Sequence, residues 1–149
     1  MGRNTAVSLV SYSPVPRDDA DRLTKTLAKM TQHVSDAAAQ NADLVVFPEI
    51  CAYLNAPDTY TFETLDGPTL TAMAAAAQAH SVYVVVPQAI IEDGKRRNSS
   101  ILLDRSGAVV GIYHKSVPAH SELDMGIIPG TETPVLRDRL RSPRPRNMF

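Results

Sequence analysis

The chain has one cysteine, Cys51, which excludes an intramolecular disulfide framework and a thiolate-rich zinc site. It also has no excess of charge: 15 basic side chains stand against 16 acidic ones, a net of -1. That balance argues against a chain whose whole surface binds nucleic acid or membrane, since such binding draws on surplus Lys and Arg. No apolar run approaches the ~20 residues of a membrane helix. The stretch after Arg3 is only Ala6 to Val10 before Ser11, Tyr12 and Pro14 interrupt it, too short for a secretory core segment. A cytoplasmic location is the expectation. There is no GxGxxG pattern and no P-loop, so a nucleotide cofactor has no motif behind it and none is expected. What remains is the profile of one globular domain or part of one, and a chain of 149 residues is long enough to bury about 68–70% of its unfolded surface.

Charge is unevenly placed. Residues 137–149 hold five Arg and a single Asp, with Pro143 and Pro145 between them and no apolar period, which reads as a solvated tail without fixed structure. Residues 1–136 form the domain proper. Within it, Thr5 to Ser11 reads as a first strand. Leu23, Leu27, Met30, Val34 and Ala37 then recur at helical spacing, with Asp18 and Asp19 offering N-cap chemistry. Asp43 to Phe47 is a short apolar strand that Pro48 ends.

After a loop to Gly67-Pro68 the pattern repeats. Leu70, Met73, Ala74 and Ala77 make an Ala-rich helical face, and Val82 to Val86 a buried-type strand with Pro87 as its stop. Two successive helix-strand units imply parallel strands joined by right-handed crossovers. Asn98 to Leu103 and Ala108 to Tyr113, linked by Asp104-Arg105-Ser106-Gly107, read as a hairpin, and a loop-rich stretch follows from Lys115 to Leu136. The expected class is α/β with an antiparallel portion at one side.

Three residues could carry chemistry. Glu49 follows the strand end Phe47-Pro48, and the crevice beyond the carboxyl ends of strands is where open α/β sheets bind ligands, so a carboxylate there is placed for general base work. Lys115, in Tyr113-His114-Lys115, can offer a cation to a developing oxyanion. Glu122 lies in the segment that leads to Pro129-Gly130. Each alone is as simply a solvated surface residue. His114, His120 and Glu122 contain metal-ligating atoms, yet the histidine spacing fits no standard ligand pair and His114 should face away from Lys115, so no metal is expected.

Taken together, the strand ending in Phe47-Pro48-Glu49, then Tyr113-His114-Lys115, then Glu122 and the Gly126-to-Glu132 loop resemble the N-terminal part of the nitrilase superfamily, the carbon-nitrogen hydrolases. The resemblance runs from about Val7 to Leu136. It implies part of a four-layer α-β-β-α sandwich, incomplete at the C-terminus, with Glu49 as general base, Lys115 as oxyanion-stabilising lysine and Glu122 as auxiliary glutamate. Small amides, nitriles or carbamoyl compounds are the implied ligands.

The family's nucleophilic cysteine, on a strand end beyond the Pro-Gly loop, has no counterpart here. Cys51 falls in a different part of the pattern and reads as a packing residue. Without a thiol no covalent acyl intermediate forms, so little or no turnover is expected of this chain. The alternatives are a non-catalytic ligand-binding or regulatory module, or an inert fragment of a hydrolase. A half sandwich would leave apolar faces open, favouring homo-oligomers or aggregation.

Overall fold

The structure, a computed structural model, describes residues 4–53 and 61–135. The Arg-rich segment from 137 onward and part of the loop before Gly67 lie outside the described residues. Five strands form one sheet in chain order: β1 (Val7–Leu9), β2 (Leu44–Val46), β3 (Tyr83–Glu92), β4 (Lys95–Leu103) and β5 (Val109–His114). β1, β2 and β3 run parallel, while β3, β4 and β5 are antiparallel neighbours. Helices α1 (Arg22–Ala39) and α2 (Pro68–His80) make the crossovers, and a short α3 (His120–Asp124) follows the sheet.

The helical stripes behave as their spacing predicts. Met30, Val34 and Ala37 of α1 and Leu70, Met73 and Ala77 of α2 are buried together against Val45, Val84, Val86, Ile101 and Leu103 of the sheet. Each such large aliphatic side chain contributes about 1.5–3 kcal/mol by leaving water. The small residues of α2 let it lie close. Gly107, in the turn between β4 and β5, sits so near that helix that a Cβ there would come within 2.5 Å of the Ala74 carbonyl oxygen.

The other face of the sheet is apolar but open. Leu9, Val46, Val85 and Leu102 stand in one register row across four strands. Leu9 is 79% exposed, and its three row partners are half-buried. The architecture is thus α/β with two helices on one side of a mixed sheet.

Three expectations are corrected. Pro87 does not end β3. The strand passes through it to Glu92 and turns at Asp93-Gly94, both at positive φ (49° and 72°), into β4, which starts at Lys95 rather than Asn98. The reason lies in which way the backbone faces. Phe47 N–H donates to Val85 O, and Glu63 N–H to Ala89 O, so odd-numbered residues of β3 turn their polar groups toward the β2 side. β2 has already ended opposite Pro87, so its missing N–H breaks no ladder bond.

Asp18 and Asp19 do not cap α1. The helix starts at Arg22 behind Asp21, which makes no side-chain cap bond, and Asp19 instead accepts from Asp21 N–H at 2.9 Å and Lys25 Nζ at 2.7 Å. β1 and β2 are shorter than expected, three residues each. The stretch after Lys115 is loop-rich as expected, with the short α3 within it.

Candidate active site

Glu49 is aimed by a sharp bend. β2 ends at Val46, and Ile50, the residue after Glu49, has φ 53°, a left-handed conformation that costs a β-branched residue about 1–2 kcal/mol. Two features hold Ile50 there: its side chain is 6% exposed in the core, and its carbonyl accepts Tyr53 N–H at 2.9 Å to close the 3-10 turn Cys51–Tyr53. Glu49 is thereby left on the rim, with its side chain 57% exposed.

Lys115 stands one residue beyond β5. Its N–H donates to Asn98 O at 2.8 Å, and its carbonyl accepts Gly130 N–H at 2.9 Å. The second contact needs glycine, since a Cβ at position 130 would lie 2.3 Å from His114 O. Glu122 comes from α3, where its Oε2 accepts Ala119 N–H at 2.5 Å at the start of that helix.

These three side chains, drawn from a span of some seventy residues, meet. Lys115 Nζ is 2.9 Å from Glu49 Oε1 and 2.9 Å from Glu122 Oε2. Asn98, on β4, adds a fourth group: its Nδ2 donates to Glu49 Oε1 at 2.6 Å and to Glu122 Oε1 at 2.7 Å. Both partners can only accept, so the amide nitrogen rather than its oxygen must face them. With Pro87, Ser100 and Tyr113, the side chains of Glu49, Asn98 and Lys115 line an open cleft of about 260 Å³ on the sheet face away from α1 and α2, while Glu122 is buried and does not line it.

The two carboxylates are not equivalent. Glu122 is 1% exposed, and an ionised carboxylate at such depth persists only when paired and hydrogen-bonded. Lys115, Asn98 and the Ala119 amide supply those partners. Glu49 uses only Oε1, and no bond to its Oε2 is made among the described residues. An exposed Lys-Glu pair contributes about 0–1 kcal/mol and cannot by itself hold a glutamate side chain against the ~1.5–2 kcal/mol of rotamer entropy that it loses. The bond from buried Asn98 adds what that pair lacks. The bond to Glu122, then that to Glu49, raises the Lys115 ammonium above its usual 10.5, so the lysine stays a cation.

Cys51 is not part of this cluster. It is fully buried, its Sγ donates to Pro87 O at 3.3 Å, and burial pushes its thiol up from 9.0 to about 12, so it is neither exposed nor ionised near neutrality. The histidines are not gathered with Glu122 either. His114 turns to the opposite sheet face, with Nδ1 2.8 Å from Ser99 Oγ and Nε2 3.2 Å from Glu92 Oε2. His120 is 93% exposed beside Asp124.

Sequence reading missed Asn98. It stands on β4 across from Lys115, in a register that an irregularity at Leu102/Leu103 shifts and that the hairpin reading did not give.

A family model described as carbon-nitrogen hydrolase matches residues 7–138, and the chain belongs to that family. Among solved structures it is similar to an amidase from Nesterenkonia sp., with 17% identity and a TM-score of 0.72 over 94% of this chain and 53% of that one. It is also similar to a carbon-nitrogen hydrolase from Helicobacter pylori G27, with 16% identity and a TM-score of 0.69 over 85% of this chain and 44% of that one. A cysteine-to-alanine variant of the amidase from Nesterenkonia sp. AN1, in complex with butyramide, matches at 18% identity and a TM-score of 0.71, covering 91% of this chain and 52% of that one. The chain therefore spans about half the length of these structures, and the likeness at such identities is one of fold. Among the described residues, no helix is long and apolar enough to cross a membrane.

Proposed function

We propose that the cleft at Glu49, Lys115 and Glu122 binds a small amide and holds the acid-base part of a carbon-nitrogen hydrolase site. The observation that carries this is the Lys115 ammonium seated 2.9 Å from both carboxylates at the cleft. Lys115 has three N–H donors, of which these contacts use two, so one is left for a carbonyl oxygen of the ligand. As a nucleophile attacks the carbonyl carbon, charge moves onto that oxygen, and a fixed cation there stabilises it. Glu49 takes the proton of the attacking group on Oε2. Glu122 stays ionised and holds the lysine in place.

Small amides are favoured over other carbonyl compounds by the family and by the butyramide complex of the similar amidase. The sequence holds one thiol, and Cys51 is buried outside the cleft. We infer that this chain binds amides without carrying the covalent half of the reaction. The open apolar row ending in Leu9 further leads us to expect association of copies; sedimentation velocity showing only monomer at high concentration would count against that.

The test is to titrate butyramide into the full chain while following the backbone amide NMR signals of the cleft residues Asn98 and Ser100 and released ammonia. A saturable shift that Lys115→Met abolishes, with no ammonia above the blank, is the expected result. Absence of any shift overturns amide binding. Ammonia release that disappears in Glu49→Gln overturns the binding-only half.

A further inference from the structure

We propose that Asn98 is the positioning residue of this site: its buried amide holds both carboxylates against Lys115 and thereby presents Glu49 Oε2, and no other carboxylate oxygen, to the ligand. The inference rests on the reading of Glu49 as proton carrier given above.

Three features carry it. Asn98 is 4% exposed, in the middle of β4, with its backbone carbonyl locked by Lys115 N–H, so it is a fixed reference point. Its single nitrogen reaches Glu49 Oε1 at 2.6 Å and Glu122 Oε1 at 2.7 Å, one N–H for each. Lys115 meets the same Glu49 oxygen, at 2.9 Å. Two donors on Oε1 fix the carboxylate plane and commit that oxygen, whereas one mobile lysine would let the group rotate and exchange its oxygens. Glu122 is committed through both of its oxygens, to Asn98 on one and to Lys115 and Ala119 N–H on the other. The amide therefore separates the roles of two chemically identical groups, one held as a static charge and one left with an oxygen for proton transfer.

The readout is how strongly Glu49 acts on the Lys115 ammonium, measured by NMR titration in the full chain. In the wild-type background, Glu49→Gln should lower the Lys115 titration midpoint by about one pH unit, the lower end of the effect of an adjacent opposite charge. In an Asn98→Ala background the same Glu49→Gln change should shift it by only about a third as much or less, because Glu49 is no longer held there. A residue that merely fills space would lower thermal stability and leave that difference intact, so an unchanged difference overturns the proposal and spares the site reading. If Glu49→Gln leaves Lys115 unmoved in the wild-type background, the pair itself does not exist and the reading beneath the proposal fails. Should Asn98→Ala not fold, the side-chain amide protons of Asn98 in the unmodified chain decide. They must follow the Glu49 titration and cease to do so in Glu49→Gln; if they do not, Asn98 does not hold Glu49.

Discussion

Residues 98 and 99 on β4, and 114 and 115 at the end of β5, are neighbours in sequence whose side chains serve opposite faces of the sheet. On the open face, Asn98 and Lys115 collect Glu49 and Glu122 into a cluster in which a buried carboxylate takes a neutral donor, Asn98, on one oxygen and the Lys115 cation on the other. On the helix-side face, Ser99 and His114 form a string that ends on Glu92. Gln88, the register partner of Ser99, is fully buried there, with neither amide atom hydrogen-bonded. Both faces combine a polar residue of β4 and a base at the end of β5 with an acid delivered from another element. They differ in that one fixes a lysine between two carboxylates at an open cleft, whereas the other runs beside a Gln88 amide that is buried without a hydrogen bond. Residue types alone therefore do not distinguish a reactive site from a structural seam; charge, and which atoms are left with bonding capacity, do.

The largest break in this contrast should come from Glu122→Gln. It leaves Lys115 without its buried counter-ion and Asn98 facing a group with one fewer acceptor lone-pair set, and loss of one partner of a buried pair costs about 3–5 kcal/mol. Urea unfolding should show that loss near neutral pH. The pH dependence follows from the raised Lys115 value, whose first cause is Glu122. A group raised on folding contributes stability that is complete below its unfolded value, here 10.5, and lost as pH climbs through the folded value. The wild-type chain should thus weaken in strong alkali, and Glu122→Gln should flatten that limb. The slope left above pH 9 belongs to Cys51, joined above pH 10 by Tyr12 and Tyr53, whose partly or fully buried groups must ionise on unfolding. A variant as stable as wild type would mean that Glu122 is not the buried anchor.

A smaller effect is expected on the other face. Ser99→Ala removes one hydrogen bond to a half-buried imidazole and should cost about 1 kcal/mol. Because Ser99 and Asn98 point apart, the Lys115 titration should stay where it is. A displaced Lys115 midpoint in Ser99→Ala would show that the faces communicate, and the contrast drawn between them would have to be given up.

How much of this was legible in the sequence depended on range. The two stripes, Met30-Val34-Ala37 and Leu70-Met73-Ala77, and the parallel strands they connect followed from local periodicity, because burial of one face leaves its period in the chain. Pro87 misled because a missing N–H matters only if the ladder uses it, and that depends on where a neighbouring strand stops. Reading it as a stop also hid the Asp93-Gly94 turn, a strong hairpin signal in its own right. For the site, Glu49, Lys115 and Glu122 were found through a motif resemblance, and the structure brings them to one point. Asn98 was invisible because an asparagine in a strand has no pattern; only the bend after β2 and the placement of α3 bring it two carboxylates to hold.

The smallest expected change sharpens the comparison most. Glu49→Gln should alter unfolding free energy by no more than about 0.5 kcal/mol, since its side chain is largely exposed and surface ion pairs contribute little. The substituted amide oxygen still accepts from Asn98 and Lys115, so the geometry is retained while the proton-accepting carboxylate is lost. Glu122→Gln and Glu49→Gln make the same chemical replacement at two ends of one cluster, both within 2.9 Å of Lys115 Nζ. A difference of several kcal/mol between them in parallel urea titrations isolates burial as the cause. It would also show that the fold depends on one carboxylate and leaves the other available for chemistry. Equal losses would mean that Glu49 is structural too, and its assignment as the proton carrier would fall.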